Sequence, residues 1–467
     1  MIGDLKPYPA YRDSGVKWLG GLPIQWSLPR MKTIVHERCE KGFPNEPLLA
    51  ATQTKGVVRK NQYENRTVLA LKDLHLLKRV HTGDFVISLR SFQGGIEYAR
   101  EVGIISPSYT VLAARDQRMH GFLACLFKSR PFVDHLSLYV TGIRQGQTVD
   151  YEALSRSQLP MPPLAEHAAI VRFLDHVDRR IRRYISAKKK LIALLNEQKQ
   201  AIIHRAVTRG IDPKVRMKPS GVEWLGNVPE HWNVKPAKWY YREVNERSST
   251  GAEELLSVSH ITGVTPRSQK RITMFMAESY VGHKLCGAGD LVINTMWAWM
   301  AALGVSRQTG IVSPAYAVYR PTAFTAFLPQ FIDYLLRTRG FVAEYVCRST
   351  GIQSSRLRLY PEHFLCIPLI CPPAAEQQRI LDAVGSDTRE LERGIQIALR
   401  EIDLLREYRR RLIADVVTGK LDVREAAAHL PEEPVEREPI EETEPLAGGE
   451  EITDEPEEEP VSEEAEA

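Results

Sequence analysis

The sequence predicts an α+β fold: two homologous globular domains, each followed by a long α-helix, the two helices pairing as an antiparallel coiled coil, with a disordered acidic C-terminal tail. Three observations carry this. One unit of about 200 residues occurs twice, each copy closes on a helical pattern of about 40 residues, and the composition changes abruptly from Pro431 on.

The repeat sets the domain order. SGVKWLGGLPIQW at Ser14–Trp26 returns as SGVEWLGNVPEHW at Ser220–Trp232, eight of thirteen positions matching at an offset of 206. GDFVIS at Gly83 returns as GDLVIN at Gly289, GIISPSY at Gly103 as GIVSPAY at Gly310, and TGI at Thr141 as TGI at Thr350. The offset drifts to 210 at PPLAEHAAI (Pro162) against PPAAEQQRI (Pro372) and holds through Val207-Thr208 against Val417-Thr418, so insertions fall in loops while the framework persists. The divisions expected are 1–163, first domain with its opening segment; 164–210, first helix; 211–373, second domain with its opening segment; 374–424, second helix; and 425–467, tail.

Within each domain, short β-branched and aromatic runs read as strands, among them Phe85-Val86-Ile87, Tyr109-Thr110-Val111-Leu112, Leu291-Val292-Ile293 and Tyr316-Ala317-Val318-Tyr319. One helix is expected in each, Gly121–Leu138 and Leu328–Cys347. The paired prolines disfavour helix before them and suit its first turn, so the long helices are expected from about Ala165 to Val207 and from Ala375 to Val417. At 1.5 Å per residue each is about 60 Å long. A 3-4 spacing places Ile170, Leu174, Val177, Ile181, Tyr184, Lys188, Leu191, Leu195, Gln198 and Ile202 on one seam. Its counterpart carries Leu381, Val384, Thr388, Leu391, Ile395, Ala398, Ile402, Leu405, Arg409, Leu412 and Val416, weakened locally by Gly385 and Gly394.

Charge narrows the function. Pro431–Ala467 holds 17 Asp/Glu and one Arg, so the formal +4 of the whole chain hides a body, residues 1–430, with 61 Lys/Arg against 41 Asp/Glu, net +20. Such an excess favours a polyanionic partner, because each cation laid on a phosphate releases condensed counterions. The start, MIGDLKPYPAYRD, has no basic stretch leading into an apolar core, and no run of about 18 apolar residues occurs, which points to a cytoplasmic protein with no membrane partner. Six cysteines form neither a CxxC pair nor a zinc spacing, so no metal and no disulfide are expected.

Catalytic motifs are missing. There is no G-x-G-x-x-G, no G-x-x-x-x-G-K-[ST] and no H-E-x-x-H, since His36-Glu37 begins only H-E-R-C-E. The Pro-Pro pairs follow Met161 and Cys371, not the Asp, Asn or Ser that amino-methyltransferases place beside a catalytic aromatic. A lone methyltransferase or nuclease is therefore disfavoured, and no catalytic residue is named. A coiled-coil scaffold without DNA binding is the other alternative, against which the basic body and the duplicated domains tell.

Shared framework segments enclose divergent ones, such as Ser91–Val102 and Thr295–Thr309, so two halves of one protein would read different sequences. Together the S-G-V-x-W-L-G-x-x-P-x-x-W segment, G-D-[FL]-V-I, I-[IV]-S-P-[SA]-Y, T-G-I and the P-P-x-A-E-[HQ] helix start, each occurring twice in one order over residues 7–424, resemble the specificity subunit of type I restriction-modification systems. The resemblance implies two target-recognition domains binding a bipartite site on double-stranded DNA. It implies two helices that act as a ruler and dock two adenine-N6 methyltransferase subunits, joined for cleavage by restriction/translocase subunits. S-adenosylmethionine, ATP and Mg would then sit on those partners, and this chain would hold no cofactor. The acidic tail departs from the family pattern.

Base readout needs hydrogen-bonding side chains on projecting loops. In the first domain these are Arg90, Ser91, Gln93 and Arg100 after GDFVIS, and Arg144, Gln145 and Gln147 after TGI. In the second they are Asn294, Thr295, Trp297 and Arg307, then Gln353, Ser354, Ser355, Arg356 and Arg358. Arg179, Arg180, Arg182 and Arg183 on the first helix suit phosphates or acidic groups of a partner, or else a solvated face. Trp18, Trp26, Trp224 and Trp232 lie in the shared framework and read as packing residues.

Overall fold

The structure, a computed structural model, describes residues 5–53, 55–62, 73–142, 148–269, 279–322, 327–351 and 357–431. The described chain divides into two compact units: unit 1 runs to Lys189 and resumes at Ala398, and unit 2 is Lys190–Ile397. Among the described residues no helix is long and apolar enough to cross a membrane.

In unit 1, Val35–Arg38 (β1), Phe85–Ile87 (β2), Glu97–Tyr98 (β3) and Thr110–Ala114 (β4) form an antiparallel sheet in the order β1-β4-β2-β3. His120–Phe127 (α1) and Arg130–Leu136 (α2) cover it, and Leu164–Arg209 (α3) follows. In unit 2, Tyr241–Val244 (β5), Leu291–Ile293 (β6), Leu303–Val305 (β7) and Ala317–Pro321 (β8) form a sheet of the same plan, β5-β8-β6-β7. Pro329–Leu336 (α4), Arg339–Arg348 (α5) and Ala374–Val417 (α6) complete that series.

The G-D pair before each central strand has a structural reason. Gly83 and Gly289 take φ of +94° and +91°, which only glycine adopts without strain, and turn the chain into β2 and β6. The buried Asp84 carboxylate accepts the His81 N–H at 2.8 Å, and Asp290 accepts the Gly287 N–H at 2.8 Å. Each also meets an arginine of the same sheet, Arg38 at 3.1 Å and Arg320 at 3.0 Å. Burial raises the Asp84 carboxyl above its ordinary value against these donors.

Each domain has two helices where one was expected. Gly121–Leu138 breaks at Ser129, whose backbone is extended and whose hydroxyl donates to the Leu126 carbonyl at 2.7 Å; Pro131 then suits the first turn of α2. Leu328–Cys347 breaks at Thr338, where the same bond to Leu335 is 2.8 Å. A hydroxyl that satisfies the last carbonyls of one helix turns the chain into the next.

The framework tryptophans pack as expected. Trp26 and Trp232 are buried in the cores of units 1 and 2, while Trp18 stacks on His135 at 5.0 Å and Trp224 meets Phe341 edge-on at 4.9 Å.

The long helices span nearly the expected ranges and run antiparallel. In unit 1, Asp178 of α3 pairs with Arg409 of α6, and Lys188 with Glu401 at 2.5 Å. In unit 2, Lys199 of α3 pairs with Glu392 of α6 at 2.6 Å. The α6 seam is buried or half-buried at all eleven expected positions. On α3 the expected positions Ile170, Leu174, Val177, Ile181, Lys188, Leu195 and Ile202 are buried or half-buried, Tyr184, Leu191 and Gln198 are exposed, and Ile185, Ile192 and Ile203 are covered as well. Arg424–Ala428, which runs from the last residue assigned to the second helix into the range assigned to the tail, is a helical turn whose Ala427 packs in the unit 1 core. Residues 432–467 lie outside the described residues.

Candidate nucleic-acid interface

Each unit projects one loop of equal length from the same place in its sheet. In unit 1, β2 and β3 enclose Ser88–Ile96 (SLRSFQGGI); in unit 2, β6 and β7 enclose Asn294–Ala302 (NTMWAWMAA).

The unit 1 loop makes one helical turn, Ser91–Gly94, packed on α2. Ser91 is 1% exposed and its hydroxyl accepts the Ser88 N–H at 2.8 Å, so this side chain holds the loop instead of facing outward. Gly95 closes the turn at φ +85°; a Cβ there would lie 2.2 Å from the Phe127 carbonyl oxygen. Arg90 and Gln93 are exposed, and Gln93 accepts from Gln53 at 3.3 Å. Lys128 staples the far end, donating to the Gly94 carbonyl at 2.9 Å and the Glu97 carboxylate at 2.6 Å.

Burial pushes the Glu97 carboxyl up to about 7, with Lys128 opposing the shift. A carboxyl raised by folding stabilises the fold fully below its unfolded value, and that contribution is lost as pH rises through 7. Glu97→Gln is therefore expected to flatten the decline in unit 1 stability between pH 5 and pH 8, measured by denaturant unfolding. An unchanged slope would refute the assignment.

In unit 2, Asn294 and Thr295 are also buried and spent on the loop. The Asn294 amide oxygen accepts the Met296 N–H at 3.2 Å, and the Thr295 hydroxyl donates to the Ala315 carbonyl at 2.8 Å. Trp297 is half-exposed and lies near-parallel to Trp299, ring centroids 6.0 Å apart and planes 18° apart. Trp299 and Met300 were not named from the sequence, although two tryptophans and two methionines within five residues of a hairpin loop are the available signal.

The TGI segments begin further loops. Val140–Thr141 pairs with Thr148–Val149, and Thr350 bridges Arg358 through backbone bonds of 3.0 and 2.9 Å. The Leu359 N–H donates to the Thr295 carbonyl at 2.9 Å, so Arg358-Leu359 lies beside the start of Asn294–Ala302, with Arg358 exposed. Arg144, Gln145, Gln147, Gln353, Ser354, Ser355 and Arg356 lie outside the described residues.

Arg100 and Arg307 occupy equivalent positions past the third strand and are exposed, but neither joins the hairpin loop. Arg100 offsets the charge of Asp175 on α3, and Arg307 lines a cleft of about 310 Å³ with Asp333 of α4. Burial raises both carboxyls above their ordinary values. On α3, Arg179 donates to the Asp175 carbonyl at 3.3 Å and Arg182 pairs with Asp178 at 2.7 Å; Arg180 is half-buried and Arg183 exposed. Among the described residues no group of three His, Cys, Asp or Glu is placed to hold a metal ion.

No family model matches the sequence, and no curated protein matches it. Solved structures do. A chain from the work described as the structural basis underlying complex assembly and conformational transition of the type I R-M system covers 86% of this chain and 99% of its own, at TM-score 0.57 and 15% identity. The crystal structure of the HsdS subunit from Thermoanaerobacter tengcongensis covers 86% and 98%, at TM-score 0.42 and 15% identity. That of the type I restriction-modification S subunit from M. genitalium covers 88% and 99%, at 0.32 and 11%. The first likeness shows a shared fold: this chain is built like that chain of a type I R-M system.

Proposed function

We propose that this chain is the DNA-sequence recognition subunit of a type I restriction-modification complex, non-catalytic by itself. It binds an asymmetric bipartite site through its two units and docks methyltransferase and restriction subunits through its long helices. The observation that carries the reading is the pair of hairpin loops, equal in length and position on equal sheets but unlike in chemistry, in a body of net +20. A constant framework with variable loops is what reading two different half-sites requires, since base edges are discriminated by side chains and phosphates by charge alone. S-adenosylmethionine, ATP and Mg belong, on this reading, to the partner subunits.

Co-expression with the cognate methyltransferase subunit, followed by genome-wide mapping of N6-methyladenine, tests it. A methylated motif split by a fixed unspecified spacer, lost when this gene is deleted, is expected. A stably assembled complex that methylates nothing new would sink the recognition role and leave the scaffold reading.

The same assay tests individual residues. Arg358→Ala is expected to cost about 1–3 kcal/mol of discrimination at one base pair and to relax the motif in one half only. Arg90→Ala is expected to relax the other half. Relaxation of both halves by either change would show a shared phosphate contact instead.

A further inference from the structure

The unit 2 loop differs from its unit 1 counterpart in a way that direct readout does not need. Asn294–Ala302 has two indoles and two thioethers, whereas Ser88–Ile96 has one ring, Phe92, and two glycines. Trp297 and Trp299 belong to neither apolar cluster of unit 2, although Ala298 between them is buried in one and Met296 leans on the other. Both rings are left partly exposed and near-parallel.

The loop that carries them is tightly tied. The Asn294 N–H donates to the Ala302 carbonyl at 2.9 Å, the Trp299 indole N–H to the Met296 carbonyl at 3.0 Å, and the Met300 N–H to the Trp297 carbonyl at 3.0 Å. Ala301 reverses the chain at φ +61°, a conformation that costs an alanine energy and persists only where surrounding bonds enforce it. A surface loop held this firmly around two partly exposed indoles is organised to present them.

We infer that Trp297 and Trp299 form an aromatic wedge that stacks on nucleobases and opens one base step in the half-site met by unit 2, while unit 1 reads its half-site without one. This rests on the recognition role proposed above and adds deformation of the DNA to it. Charge selects the occupant. Asn294–Ala302 contains no acidic residue, Arg358 stands exposed on the neighbouring segment, and α5, packed against the loop, carries Arg339 and Arg348 against Glu344, so the surroundings of the indoles carry a net positive charge suited to a polyanion. Indoles stack on any base, and apolar wedges between base steps bend the duplex so that it meets more protein. The opened step also makes the base beside it easier to turn out of the helix for a partner that methylates it.

The test uses the complex assembled with its methyltransferase subunit and duplexes bearing the mapped motif, with 2-aminopurine placed at each adenine position in turn. The chain as it stands is expected to brighten the probe at one step of one half-site only. Trp297→Ala with Trp299→Ala is expected to abolish that signal and to weaken binding about tenfold or more, leaving the other half-site unaffected. Trp297→Phe with Trp299→Phe, which keeps the stacked rings and guards against misfolding, is expected to retain most of the signal. If the alanine pair binds equally tightly with the same probe response, or the phenylalanine pair loses everything while remaining folded, the wedge is overturned though sequence recognition stands. If the unaltered complex methylates no split motif, the recognition role fails and the wedge falls with it.

Discussion

Trp26→Ala is expected to destabilise unit 1 by about 3–5 kcal/mol, the usual cost of emptying a buried aromatic site. That is a large part of the roughly 5–15 kcal/mol by which a domain is held. Trp26 is 1% exposed, with Tyr8 and Phe122 edge-on at 5.8 and 6.1 Å. Its indole N–H donates at 3.1 Å to Glu166 at the start of α3, and the Tyr8 hydroxyl donates to the same oxygen at 3.1 Å. Arg424 faces the other carboxylate oxygen at 3.5 Å. One side chain thus joins the opening segment, the first helix and the turn after the second. Hydrogen exchange should show unit 1 amides losing protection while those of unit 2 keep theirs.

The phenylalanine variants separate packing from hydrogen bonding. In unit 2 the carboxylate equivalent to Glu166 is Glu376, which His231 engages at 2.6 Å, and the buried Trp232 indole N–H has no hydrogen-bond partner among the described residues. Trp26→Phe removes a donor from a buried carboxylate, which costs about 1–3 kcal/mol beyond the lost volume. Trp232→Phe removes an unsatisfied donor and is expected to cost only the volume. Equal losses, read by denaturant unfolding, would refute the asymmetry.

These tryptophans were legible because a repeat marks which residues serve the framework, and framework aromatics pack. The long helices were legible for a related reason: paired prolines fix the starts, and the 3-4 apolar spacing runs on to Ile202 and Val416. What the sequence hid depends on local competition. Ser129 and Thr338 look like helix residues and act as breaks, because a hydroxyl beside free carbonyls bonds them. Ser91, Asn294 and Thr295 look like readers at the base of a loop and are consumed in shaping it, the usual fate of short polar side chains at turns. Arg100 and Arg307 follow the loop in sequence, but a strand leads away between, and their charges act on the helix carboxylates Asp175 and Asp333 instead. The seam of α3 departs from the expected positions only at Tyr184, Leu191 and Gln198, where Ile185, Ile192 and Lys199 are covered instead.

Gly419→Val is expected to be nearly as damaging as the loss of Trp26. The residue ends α6 at φ +78°, where a side chain costs about 1–2 kcal/mol. A Cβ there would also stand 2.6 Å from Pro23 Cδ and 2.8 Å from Pro23 Cγ, with the Trp26 ring at 3.2 Å. Relieving such overlap in a packed core costs about 1–3 kcal/mol more. Next to it the Gly419 and Lys420 carbonyls accept the Tyr11 hydroxyl at 3.1 and 3.0 Å, and Lys6 bridges Asp422, so the clash would lift the opening segment from the second helix. Gly210, at φ +76°, is the internal control, because a Cβ there has 3.5 Å to its nearest neighbour, the Trp232 ring. Gly210→Ala therefore pays only for the backbone, while Gly419→Ala meets both terms and should unfold at lower denaturant. Limited proteolysis should then cut the chain before Trp26 in the Gly419 variants alone; equal sensitivity in the Gly210 variant would mean that backbone strain, not the contact with Pro23, decides the outcome.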